Sequence, residues 1–85
     1  MDYIKVGKVT HFFDKINVAA IKVSDEAIKT GDNIRIGEFG VGIEQKIDSM
    51  QMEHKEVTEA KAGDEVGIKV ISTVKSGETV YKISE

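Results

Sequence analysis

The aliphatic composition of the chain constrains its fold more than any other feature. The 85 residues include 11 Ile and 10 Val but no Leu. β-Branched side chains lose little χ1 freedom in an extended strand, whereas in a helix they crowd the preceding turn. A core built from Ile and Val therefore favours β-structure.

Turn signals separate short Ile/Val-rich runs along the whole chain. Residues 30–33 and 75–78 combine Gly with polar residues that favour turns. Between such turns, residues 65–70 alternate apolar and polar side chains with the period of a half-buried strand. About seven short antiparallel strands in a chain of this length predict one domain, residues 1–85, with an all-β fold. We expect a small closed Greek-key barrel of six or seven strands, because closure removes exposed edges.

Two changes of phase and one ambiguous segment qualify this prediction. The apolar alternation shifts near Gly7 and near Ser49, which predicts bulges of the kind that barrel closure requires. Residues 52–62 are rich in helix formers and end at Gly63, a possible C-cap. Their apolar stripe is thin, so we predict a strand over residues 50–54 and a short helical turn over residues 59–62.

The sequence carries no recognisable catalytic or cofactor-binding motif. It has no Cys, no phosphate-binding loop and no nucleophile elbow, and the glycine-containing residues 37–42 are expected to form a hairpin loop. His11 and His54 do not have the spacing of a metal-binding pair. We therefore predict no enzyme activity, catalytic residue, metal, cofactor or nucleotide.

Net charge and hydropathy exclude further classes of partner. A formal net charge of −3 argues against bulk electrostatic attraction to nucleic acid or to anionic lipid. The longest apolar run, residues 18–21, is far too short to span a bilayer, and no signal peptide is recognised. The expected location is cytoplasmic, without a membrane partner.

Basic and aromatic side chains are interleaved near the N-terminus, an arrangement that single-stranded RNA binding uses. The alternative is that these lysines are only the outward half of the strands. Phe12 and Phe13 are adjacent and cannot both point inward from a strand, so one is expected to be exposed to a partner. The predicted contact residues are Lys5, Lys8, Phe12, Phe13, Lys15 and Arg35.

The order of these signals resembles domain II of the translational GTPases, the barrel that follows the G domain in elongation factor Tu. The resemblance is carried by residues 6–9 (VGKV), 28–36 (IKTGDNIRI), 47–50 (IDSM), 57–70 (VTEAKAGDEVGIKV) and 74–80 (VKSGETV). It implies a non-enzymatic binding module that contacts RNA, such as tRNA or rRNA, or a ribonucleoprotein.

The first hairpin departs from that family, and no G domain accompanies the match, so GTP hydrolysis is not implied. Residues 10–18 (THFFDKINV) are closer to small stand-alone elongation-factor-like barrels. They are also similar to the C-terminal barrel of the collagenase-like peptidase family, some members of which are linked to RNA modification. The alternative function is therefore a protein-interaction subunit, accessory to a separately encoded RNA-modifying or peptidase-like enzyme.

Overall fold

The computed structural model describes residues 2–37 and 42–84, and it is all-β as predicted. These residues form ten strands and no helix, so they include no helix that could cross a membrane. The strands are β1 (Asp2–Phe13), β2 (Val18–Val23), β3 (Ile28–Lys29), β4 (Asn33–Ile36), β5 (Ile43–Lys46), β6 (Met50–Met52), β7 (Lys55–Val57), β8 (Glu59–Ala60), β9 (Glu65–Lys69) and β10 (Thr79–Ser84). The central part of the predicted loop at residues 37–42 lies outside the described residues.

Eight strands form one strongly curled antiparallel sheet in the order β5-β4-β10-β1-β2-β9-β6-β7. The remaining two strands, β3 and β8, pair with each other. Strands β5 and β7 are the edges of the large sheet, and no ladder joins these edges within the described ranges. The prediction of a closed barrel with six or seven strands is therefore wrong: the sheet has eight strands and stays open.

The sheet opens where the chain passes from β5 to β6. Strand β5 pairs with β4 and β6 pairs with β9, but residues 47–49 between them join no strand ladder. Ile47 is buried, its N–H donates to the Asp32 carbonyl at 2.8 Å, and its carbonyl accepts from Gly31 N–H at 2.9 Å. Because the β3–β4 turn uses these backbone groups, they are not available for a closing ladder. The phase change expected near Ser49 lies in this break, which is not a bulge within a continuous strand.

The core occupies the concave face of the sheet and consists of aliphatic side chains. Isoleucine and valine dominate it, as the composition predicts, with two alanines and one methionine. Burial of each large aliphatic side chain contributes about 1.5–3 kcal/mol relative to exposure. The largest fully buried side chains are Ile21, Ile28, Ile34, Ile36, Ile47, Met50, Ile68, Val6, Val9, Val23, Val66 and Val80.

The predicted bulge at Gly7 is confirmed, and a second irregularity follows on the same strand. The register of β1 against β10 shifts between Lys5 and Gly7, and the register against β2 shifts between Val9 and His11. A Cβ atom on Gly7 would lie 1.9 Å from the Lys22 carbonyl oxygen, so only glycine fits this close approach. These shifts bend β1 and decide which of its later side chains face the core.

The ambiguous segment contains strands and turns throughout. The predicted strand over residues 50–54 ends earlier, at Met52, because Glu53 and His54 have φ values of +52° and +66° and form the β6–β7 turn. The predicted helical turn over residues 59–62 is wrong. Residues Glu59–Ala60 form β8, and Ala60 is fully buried opposite Ile28 of β3. Tertiary pairing therefore overrides the helix propensity of these residues.

Candidate partner interface

Phe12 and Phe13 lie at the end of β1 and point to opposite faces of the sheet. Phe12 is opposite buried Ala19, and its partly buried ring packs against the core. Phe13 is opposite Val18 on the convex face, and 46% of its surface is exposed. The expectation that one of the two rings is exposed is confirmed.

Two further exposed aliphatic side chains lie at the same end of the sheet as Phe13. Ile16 is in the turn that joins β1 to β2, and 61% of its surface is exposed. Ile71 follows β9, and 74% of its surface is exposed. The backbones of Ile16 and Ile71 are close together. Asn17, which follows Ile16, accepts a hydrogen bond at 2.8 Å through its carbonyl from the N–H of Val70, which precedes Ile71. We call Phe13, Ile16 and Ile71 the hairpin-end surface.

The convex face beside this surface is shaped by small residues. Val18 lies between Phe13 of β1 and Lys69 of β9, and Gly67 lies two residues before Lys69 on the same face of β9. A Cβ atom on Gly67 would come within 3.1 Å of Val18 Cγ1, so glycine leaves room for the valine side chain. The ring of His11 packs edge-on against Phe13, with centroids 4.4 Å apart. The Phe13 ring is therefore supported by its neighbours and not freely mobile.

The charged side chains around the hairpin-end surface are mostly basic. Residues 11–18 and 67–71 contain Lys15, Lys69 and Asp14, all of them exposed. Lys69 is two strands away from Phe13 on the same face, which corresponds to about 10 Å. An apolar centre with basic neighbours suits contact with another macromolecule.

The structure disperses the other predicted contact residues. Lys5 lies eight positions before Phe13 on β1, about 26 Å away along the strand, and it pairs with Asp25 at 3.7 Å. Lys8 is opposite Lys22 and Thr79 in the middle of the sheet. Only Phe13 and Lys15 of the predicted set lie at the hairpin end, with Phe12 beneath them in the core.

Arg35 does not point outward into solvent as expected. It is 7% exposed, and its Nη1 donates to Glu44 Oε2 at 2.7 Å. Tyr81 on β10 and Glu44 on β5 are its cross-strand neighbours. Tyr3 also donates to Glu44 Oε2, at 3.3 Å. This arrangement ties four strands together and leaves little of Arg35 to meet a partner.

The acidic and imidazole side chains of the described residues are dispersed. Within the described ranges, no three His, Asp or Glu side chains converge so that they could hold a metal ion. A shallow depression of about 580 Å³ lies over the turn at residues 75–78. Its carboxylate, Glu78, accepts a hydrogen bond from Lys75 N–H and so stabilises the turn itself.

Comparison with known proteins relates the chain to peptidases. No family model matches it. Over 83 residues, 96% of the chain, it is 39% identical to an uncharacterized protease of Methanocaldococcus jannaschii. The match covers 20% of that protease, so the chain spans about a fifth of the length of this relative.

Two solved structures share the fold. Both are the C-terminal domain of a protein assigned to the U32 peptidases, from Geobacillus thermoleovorans. The first has a TM-score of 0.83 at 17% identity and covers 93% of this chain and 91% of that domain. The second, a selenomethionine variant, has a TM-score of 0.78 at 16% identity, with coverages of 94% and 98%. At these identities the likeness establishes the fold alone.

These comparisons agree with one of the two resemblances in the sequence. None of the relatives described above is a translation factor, so the link to elongation factor Tu domain II stays a prediction. The similarity to a peptidase C-terminal barrel agrees with the solved structures. The chain thus shares its fold with the C-terminal domain of a U32 peptidase and its sequence with one fifth of a protease.

Proposed function

We propose that the chain is a non-catalytic binding module that works with a peptidase-like catalytic unit. The sequence match carries this proposal, because it runs along 96% of the chain yet covers only 20% of the protease. The fold shared with a C-terminal domain of a U32 peptidase also supports a module that is separate from the catalytic unit. The protease name belongs to the longer protein and not to the matched fifth.

The chemistry of the described residues supports contact over bond-making. The hairpin-end surface is apolar, and the ring of His11 packs against Phe13 there. A hydrolytic site would need a nucleophile, a base or a metal held in mutual reach. Asp32, Asp64 and Glu78 each accept a hydrogen bond from a backbone N–H of their own turn, which is a structural role.

An RNA-binding module of the translation-factor type has weaker support. Among the predicted contacts, Lys5 has an acidic partner and Arg35 is buried against Glu44. The net charge is −3 as well, whereas proteins that neutralise phosphates collect cations on one face. We therefore place the peptidase-associated function first and make RNA an outcome of the test.

Affinity tagging of the gene in its own cells tests the function. Material purified without denaturant should contain a polypeptide that resembles the remaining four fifths of the M. jannaschii protease, either bound to the chain or continuous with it. Protein sequencing by mass spectrometry and nucleic acid extraction are done on the same eluate, with untagged cells as control. An eluate that holds RNA but no peptidase-like sequence would contradict the proposal.

A further inference from the structure

Exposed apolar side chains are concentrated at one end of the molecule. Of the four large hydrophobic side chains exposed among the described residues, three form the hairpin-end surface, and the fourth is Ile4. Ile4 lies near the chain ends, where Asp2 pairs with Ser84, at the opposite end of β1. Single exposed hydrophobic residues are common, but three at one end of the sheet, one of them an aromatic ring packed against His11, mark an interaction surface.

The residues beside these three side chains carry a net positive charge, whereas the whole chain carries a net negative charge. The chain is acidic, with a net charge of −3. The residues that build the hairpin end carry two lysines, Lys15 and Lys69, against one carboxylate, Asp14. An interface gains specificity when a local excess of one charge meets the opposite charge on its partner.

We propose that the hairpin-end surface binds a protein surface on the peptidase-like unit that has an apolar centre flanked by carboxylates. The inference rests on the proposed function and adds the docking site and the chemistry of its partner. Phe13 is the central anchor, since its aromatic ring is the largest side chain of the three and packs against His11. Lys15 and Lys69 meet the carboxylates at the rim.

Site-specific photo-crosslinking locates the contact. A photo-reactive phenylalanine analogue is placed at position 13, 16 or 71, and the matched control carries it at Ile4. Each variant is mixed with the peptidase-like polypeptide recovered by tagging, or made within it if the two are continuous. Cross-links into that polypeptide from the three hairpin-end positions, and few from position 4, are expected. Cross-links from position 4 alone would overturn the docking site while leaving the proposed function intact.

Charge reversal tests the chemistry of the partner. Lys69→Glu should weaken binding to the peptidase-like polypeptide roughly tenfold, and Asp14→Lys should strengthen it, as measured by titration calorimetry at low salt. If the chain and the peptidase-like unit are one polypeptide, Lys69→Glu should lower the yield of cross-links from the hairpin-end positions, and Asp14→Lys should raise it. The reverse pattern, or equal effects of both changes, would overturn an acidic partner.

Two further outcomes separate the alternatives. Binding of the chain to vesicles containing phosphatidylglycerol, lost in Phe13→Ser, would assign the surface to a membrane and contradict a protein partner. If no peptidase-like polypeptide is recovered at all, the proposed function fails before the docking site is in question.

Discussion

The side-chain amide of Gln45 replaces a missing strand pair by bonding to the backbones of Lys69 and Ile71. Gln45 Oε1 accepts from Ile71 N–H at 2.8 Å, and Gln45 Nε2 donates to the Lys69 carbonyl at 2.8 Å. The amide therefore offers one acceptor and one donor, as a backbone peptide would. It links edge strand β5 to the end of β9 across the opening of the sheet.

Removal of the Gln45 hydrogen bonds should weaken the attachment of β5 to the end of β9. We expect Gln45→Leu to lower the free energy of unfolding by about 1 kcal/mol, because two backbone groups lose their partner. The amide hydrogen of Ile71 should also exchange faster with solvent, which NMR measures residue by residue. Gln51→Leu, at an exposed glutamine of β6, is the matched control. Equal stability and equal Ile71 exchange in both variants would show that Gln45 does not hold the edge.

Gly7→Ala should destabilise the protein far more than Gly67→Ala. The new methyl group at position 7 would lie 1.9 Å from a backbone oxygen of Lys22, whereas at position 67 it meets a valine methyl at 3.1 Å. Backbone must move in the first case and a side chain in the second. We expect Gly7→Ala to lower the free energy of unfolding in urea by about 3 kcal/mol or more, and Gly67→Ala to lower it by about 1 kcal/mol. Similar losses would mean that the β1 bulge is not tightly constrained.

The β6–β7 turn carries residues that do not favour its conformation. Glu53 and His54 both have positive φ, for which Asn-Gly is the preferred pair in a two-residue hairpin. The double substitution Glu53→Asn/His54→Gly should therefore raise the free energy of unfolding by about 1 kcal/mol. Thermal unfolding followed by circular dichroism measures the change. A lower melting temperature in the double variant would contradict the turn geometry.

The ion pairs of Glu44 and Asp25 should contribute differently to the free energy of unfolding. Glu44 pairs with buried Arg35, while Asp25 pairs with Lys5 where both side chains are about half exposed. Glu44→Ala should cost about 2 kcal/mol because a buried guanidinium loses a charged acceptor. Asp25→Ala should cost about 0.5 kcal/mol or less. Chemical unfolding compares them, and a larger loss for Asp25→Ala would refute the burial of Arg35.

Much of the sheet could be predicted because local pattern and tertiary burial agree there. The alternation of Val66 and Ile68 with polar neighbours places them in the core, and Gly7 bends β1 where the phase changes. Closure could not be predicted from alternation. It depends on whether the backbone of Ile47 pairs with a strand or with the β3–β4 turn, and apolar periodicity is the same in both cases.

One sequence signal would have corrected the helical turn expected at residues 59–62. The turns at 29–32, 61–64 and 75–78 share the order Lys, any residue, Gly, acid. Gly31, Gly63 and Gly77 have φ values of +94°, +100° and +93°. In each turn the acidic side chain accepts a hydrogen bond from the backbone N–H of the lysine, at 2.9, 3.0 and 2.5 Å. This repeated pattern predicts a turn after Ala60 in place of a helix.

Part of the candidate interface was predictable and part depends on the fold. Two adjacent phenylalanines on one strand require one exposed ring, so the sequence predicts an exposed ring at position 12 or 13, and the structure shows that it is Phe13. Ile16 and Ile71 are 55 positions apart and lie at the same end of the sheet only because β2 pairs with β9. Arg35 was predicted to contact a partner because the sequence alone cannot show that it is buried and bonded to Glu44 on the neighbouring strand.

The central claim is that this chain is equivalent to the matched fifth of the M. jannaschii protease and docks onto the rest of such a protein. The most direct test exchanges that segment for this chain and follows unfolding of the hybrid by calorimetry. We expect the module to melt several degrees higher in the hybrid than alone, and Phe13→Ser to remove most of this gain. A module that melts at the same temperature in the hybrid and in isolation would contradict it.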